Sequence, residues 1–182
     1  MTTPLEVEAL TRAWIERAVI GLDLCPFARA VYDNGRLRCA VTDARSAEAL
    51  RDDFARELRT LAGAPPAALE TTLLIHPYVL TEFAEYNDFL DVADITVKSL
   101  GLEGVLQVAS FHPDYRFADA TPDDVTNYTN RSPYPMLHLL REASIDQAVA
   151  AFPDAAMIYR RNMETMRRLG VSGWAALGLG RR

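Results

Sequence analysis

The chain has 182 residues, 49% of them hydrophobic and 24% charged, with a formal net charge of −6 and a pI near 5.1. Those totals fit one domain, residues 1–182, or at most one and a small appendage, with a core of its own, and they exclude wholesale disorder. They also argue against nucleic-acid binding, which needs clustered basic residues to displace counterions, because Lys98 is the only lysine and the arginines are scattered among acids.

The N-terminus, MTTPLEVEAL, carries no basic segment followed by an apolar run, and no window approaches the ~20 apolar residues of a membrane span. The expected location is the cytoplasm, with no membrane partner. Two cysteines, Cys25 and Cys39, are too few for a disulfide scaffold or a zinc ribbon and are expected as thiols. Thr3, Pro4 and Glu6 form a capping box that opens a first helix. Leu10, Trp14, Ala18 and Leu22 recur every four residues along it, and Gly21 with Pro26 marks its end. A turn follows at Asp33-Asn34-Gly35.

Arg36 to Thr42 alternates apolar and polar residues and predicts a strand with one buried face. A helix from about Ser46 to Ala62 carries Leu50, Phe54, Leu58 and Leu61, and Gly63 with Pro65-Pro66 stops it. Thr71 to Ile75 reads as a strand buried on both sides and ends in His76-Pro77. A third helix from about Thr81 to Leu100 precedes Gly101. Gly104 to Phe111 supplies a third strand, which ends in His112-Pro113. Single-helix crossovers join parallel strands, so the expected architecture is a small, mainly parallel sheet of about three strands flanked by helices.

Beyond Asp119 the expected character is helical. Ser132-Pro133 reads as the N-cap and first position of a fourth helix through Met136, Leu137 and Leu140 to about Glu142. Ser144 to Gln147 reads as a capping box opening a short helix to Phe152-Pro153. A last helix is expected from about Asp154 to Leu169, ending at Gly170. The glycine-rich tail that follows has Trp174 as its anchor.

The stretch Phe111 to Glu142 concentrates the chemistry. It holds His112 and His138, Arg116 and Arg131, Asn127 and Asn130, Tyr115, Phe117, Tyr128 and Tyr134, and four of the ten prolines. In parallel α/β sheets ligands bind beyond the carboxyl ends of strands, which is where His76 and His112 fall. His112 is a candidate general base, with His76 and Asp114 assisting, because imidazole titrates near working pH. The alternative is that each imidazole hydrogen-bonds nearby backbone and shapes a turn.

Arg131, with Asn127, Asn130 and Tyr128, is a candidate clamp for a phosphate or carboxylate, and Arg116 is a weaker second. The alternative pairs Arg131 with a neighbouring aspartate. Cys25 enters as a possible nucleophile if it meets His112; its place at a helix C-terminus argues instead for a small buried hydrophobe. His76, His112 and His138 could together ligate a metal, although no two have metal-motif spacing. No GxGxxG, GxxxxGK[ST] or GxSxG occurs, and the sequence leaves the cofactor unknown.

Three stretches together resemble an uncharacterised bacterial family, domain of unknown function 1415. They are Gly21-Leu22-Asp23-Leu24-Cys25-Pro26-Phe27-Ala28, Phe111-His112-Pro113-Asp114-Tyr115, and the run Asn127 to Glu142. The resemblance covers nearly the whole chain, implies a single compact bacterial domain, and carries no reaction with it. The leading expectation is therefore a cytoplasmic enzyme using histidine acid–base chemistry on a small anion. A metal-dependent enzyme, or a non-catalytic module in which Asn127 to Pro135 recognises a partner, are the alternatives.

Overall fold

The computed structural model describes residues 2–151 and 155–180. In chain order it contains α1 (Pro4–Trp14), a π-helical continuation (Ile15–Ile20), α2 (Ala28–Asp33), β1 (Leu37–Val41), α3 (Ala47–Gly63) and β2 (Thr71–Ile75). These are followed by α4 (Phe83–Ser99), β3 (Leu106–Phe111), a 3-10 turn (Val125–Asn130), β4 (Met136–Arg141), α5 (Glu142–Ala151) and α6 (Ala155–Ala176).

Local chemistry sets most of these boundaries. The hydroxyl of Thr3 accepts from the Glu6 amide at 3.3 Å, while the Thr3 amide donates to the Glu6 carboxylate at 2.7 Å, which closes the capping box of α1. At Gly21 a Cβ would lie 2.3 Å from the carbonyl oxygen of Arg17, so the wide π turn can close only on glycine. Ser46 caps α3 by accepting from the Ala49 amide at 3.2 Å.

The sheet corrects the expected architecture. It has four strands in the order β1-β2-β4-β3 and is mixed. β1 and β2 are parallel, whereas β4 is antiparallel to both β2 and β3. The three expected strands thus do point the same way, but β4 is inserted between the second and the third. β4 is the segment read from sequence as a fourth helix; Ser132 caps nothing and instead donates its hydroxyl to the carbonyl of Tyr134 at 2.6 Å. Three smaller differences follow. α2 is a short helix leading into the expected turn at Asp33-Asn34-Gly35, α5 starts at Glu142 so that Ser144 lies inside it, and α6 continues past Gly170 to Ala176. The expected boundary at Phe152, Pro153 and Asp154, and the tail end Arg181-Arg182, lie outside the described residues.

Alternation along the strands splits the core in two. Leu74, Leu106, Leu137 and Leu139 face Leu50, Phe54 and Leu58 of α3 and Tyr86 and Phe89 of α4. Leu73, Ile75 and Met136 face Val7, Trp14 and Ile15 of the N-terminal helix. Among the described residues no helix is long and apolar enough to cross a membrane.

Candidate functional site

The mixed sheet brings three chain segments to one edge. Ile75 and Phe111 are both in register with Met136, so the ends of β2 and β3 meet the start of β4. His76 and His112 follow those ends directly, and Ser132 to Pro135 enters from the other side. Backbone bonds tie the segments together: the His76 amide donates to Pro135 at 3.0 Å and the His112 amide to Asn130 at 3.2 Å.

His76 and His112 therefore come together, with Tyr86 between them. The Tyr86 ring lies 5.8 Å from His76 and 5.0 Å from His112, centroid to centroid. Both histidines are fully buried. The Nδ1 of His112 accepts from the Asp114 amide at 3.0 Å, which fixes the tautomer, and its Nε2–H donates to the carbonyl of Leu80 at 3.2 Å. His76 donates from Nδ1 to the carbonyl of Val79 at 2.9 Å, and its Nε2 is buried without a hydrogen-bond partner among the described residues. Burial, helped by the neighbouring His112, lowers the pKa of His76 to about 4, so its ring is neutral. The two imidazoles hold consecutive carbonyls of one turn, and Leu80 in that turn has φ +54°, a left-handed conformation that costs a leucine about 1–2 kcal/mol. Each imidazole thus hydrogen-bonds nearby backbone. Asp114 is exposed and serves through its amide.

The asparagines have the same occupation. Asn127, fully buried, accepts from the Phe117 amide at 3.0 Å and donates to the carbonyl of Thr121 at 2.8 Å, and Asn130 donates to Ser110 at 3.1 Å. Arg116 is exposed.

Arg131 stands differently. Its Nε donates to the carbonyl of Tyr115 at 3.2 Å and one Nη to that of Pro122 at 3.0 Å. These bonds orient the fork but leave its charge uncompensated. Among the described residues no carboxylate forms an ion pair with it. The guanidinium lies 4.5 Å from the Tyr128 ring centroid, and Tyr128 stacks on Trp174 of α6 at 5.1 Å. The indole of Trp14 donates to the Arg131 carbonyl at 3.0 Å. Arg131, Tyr128, Trp14 and Trp174 wall an open pocket of about 350 Å³, closed below by Leu179 and Gly180. Trp14 and Trp174 were read as helix face and tail anchor. Their part here depends on the fold-back of α6, for which the sequence has no local signal.

The remaining candidates lie elsewhere. Cys25 is half-buried in the wall of a second, apolar pocket, where desolvation pushes its thiol pKa up. His138 sits on β4 rather than on a helix, faces that same apolar pocket, and donates to Thr71. His76 and His112 are in neither pocket wall. Among the described residues no three His, Cys, Asp or Glu side chains gather as metal ligands.

A family model described as "Protein of unknown function (DUF1415)" matches residues 6–176. No curated protein and no solved structure matches the chain.

Proposed function

The chain belongs to the DUF1415 family, and from that premise we propose that it binds a small, planar, carboxylate- or phosphate-bearing molecule in the pocket walled by Arg131. The observation that carries this reading is a guanidinium with no carboxylate partner among the described residues, set against the Tyr128 ring at a concave site that Trp14 and Trp174 also line. A guanidinium presents a flat, bidentate fork to an oxyanion. Tyr128, Trp14 and Trp174 offer apolar and quadrupolar surface to the remainder of a ring-bearing ligand. The pocket volume suits a small metabolite rather than a polymer.

The reading assigns positioning, not proton transfer, to the rest of the expected site. His112 has both ring nitrogens occupied by backbone, and His76 is sealed from the pocket. The protein is thus proposed as a binder of a small anion rather than as a histidine acid–base enzyme. The two free thiols suit the reducing cytoplasm of a bacterium, which is where the reading places it.

A thermal-shift screen of phosphates and aromatic carboxylates against wild type and Arg131→Ala tests the proposal. At least one anion should raise the wild-type Tm and leave that of the variant unmoved. If every stabilising anion acts equally on both proteins, Arg131 is a structural residue and the proposal is wrong.

A further inference from the structure

The second pocket lies on the opposite flank of Trp14, between the sheet and the elements α2 and α5. Its volume is about 390 Å³, comparable to about a dozen water molecules in bulk. Its wall is almost wholly apolar and includes Val31, Phe111, Leu140, Ala148 and Val149. His138 enters this wall from β4, in the middle of the sheet.

The state of His138 follows from its neighbour. Thr71 donates its one hydroxyl proton to the carbonyl of Leu139 at 2.6 Å. The 2.8 Å contact between that hydroxyl and Nε2 of His138 therefore has His138 as donor. Nε2 carries the proton, and Nδ1 is left as an acceptor with no hydrogen-bond partner among the described residues. The ring lies deep within the fold and is partly accessible through the pocket. Desolvation lowers the pKa of His138 to about 4, so the ring stays neutral.

The charged groups at the rim are already committed. Arg141 donates to the carbonyls of Leu61, Ala64 and Leu69, and Glu70 accepts from Ser144 and lies 3.5 Å from Arg36. Gln107 is exposed at the mouth. Apart from the weakly polar thiol of Cys25, the inner wall therefore offers one unpartnered acceptor and, among the described residues, no uncommitted charge. Water is a poor occupant there, since it needs two to four polar partners, and an ion would lose its hydration without compensation.

We propose that this cavity binds a neutral, lipophilic small molecule bearing one hydroxyl, of the alkylphenol class, with its O–H donated to Nδ1 of His138. The site is separate from the Arg131 pocket and does not rest on the function proposed for it. Its ligand needs no counter-ion, and its affinity is flat from about pH 5 to 8, where both imidazole and phenol are neutral.

Titration calorimetry of the full chain with 4-ethylphenol, ethylbenzene and 4-ethylbenzoate is the test. The phenol should bind saturably at one site, about tenfold tighter than ethylbenzene for one added hydrogen bond, and the benzoate should not bind there. His138→Leu should erase the preference and keep ethylbenzene binding. Ala148→Trp, which fills the cavity, should abolish both, and Arg131→Ala should change neither. The ¹⁵N resonance of Nδ1 in wild type should move on adding the phenol and stay in place with ethylbenzene, a readout independent of how the variants fold. Absence of saturable binding to wild type, a preference that survives His138→Leu, binding that survives Ala148→Trp, or an unmoved Nδ1 resonance would each overturn the proposal.

Discussion

Tyr86 shows how much one hydroxyl can hold. It accepts from the Phe111 amide at 3.0 Å and donates to the Met136 carbonyl at 2.8 Å, and so stands between two residues that are partners in the β3–β4 register. A phenol from α4 thus satisfies one backbone group of each strand at the last pair of their register. Tyr86→Phe removes both bonds and leaves an amide and a carbonyl unsatisfied near the sheet edge, which should cost about 1–3 kcal/mol. Urea denaturation measures the loss, and hydrogen exchange at the Phe111 amide locates it; an unchanged midpoint would show that water replaces the hydroxyl. The buried imidazoles set a pH dependence of their own. Burial lowers the pKa of both His76 and His138 to about 4 from 6.5. In the unfolded chain they take up protons as pH falls through 6.5, while in the fold they do not. Stability is therefore complete above that value and declines as pH falls from about 6.5 toward 4. By pH 5.5 the loss should be about 1 kcal/mol for each group, above the range where carboxylates contribute. Urea midpoints at pH 7.5 and 5.5 read it directly, and His138→Leu should remove about half the difference.

At the scale of elements, what was legible in the sequence had local punctuation. Thr3 and Ser46 stand as N-caps, and β1, β2 and β3 lie within about two residues of their expected places. β4 was not legible. Met-Leu-His-Leu-Leu-Arg is buried on both faces, so it lacks the period of two that identifies a half-exposed strand, and Ser132-Pro133 before it imitates a helix start. Only the gap between β2 and β3, a tertiary feature, decides its conformation. The candidate site divides in the same way. That His76 and His112 meet was legible from their matching strand ends. That three of their four ring nitrogens are spent on backbone was not, because the partners at Val79 and Leu80 lie in a turn whose shape the sequence does not announce. Gly170 is a further case: it reads as a terminator, yet α6 resumes after it. Its φ of 66° and ψ of 178° lie in a region essentially restricted to glycine. Gly170→Ala should therefore destabilise by about 1–3 kcal/mol, whereas Gly63→Ala, in the last turn of α3 with open space around it, should be neutral or stabilising by up to about 1 kcal/mol. Equal melting temperatures for the two variants would mean that the break at Gly170 relaxes without cost.

For the whole molecule, β4 is decisive because the centre of the sheet cannot close until residues 136–141 arrive between strands made earlier in the chain. The segment leading into β4 then carries Arg131 to the sheet edge, and β4 itself carries His138 into the apolar cavity, so one late strand equips both pockets. Trp14 lines both and separates them, packed edge-on against Phe111 at 5.2 Å with its indole bonded to Arg131. The far wall of the Arg131 pocket is different in kind. It comes from the C-terminal segment, which packs on the 3-10 turn through Trp174, buries Leu179, and is held by Arg17 donating to the carbonyl of Leu177 at 3.0 Å. The apolar pocket takes nothing from that segment. The double substitution Trp174→Ala with Leu179→Ala should therefore separate the two sites. It should cost roughly 3–6 kcal/mol of stability by the ordinary penalties for deleting a large and a medium buried side chain, less where Trp174 is partly exposed. In the protein that remains folded at low temperature, anion binding at Arg131 should weaken by at least about tenfold, while 4-ethylphenol binding stays within about twofold of wild type. Loss of both affinities together would show that Trp14 transmits the damage and that the two cavities form one site. Loss of the phenol alone would reverse the assignment of walls made here.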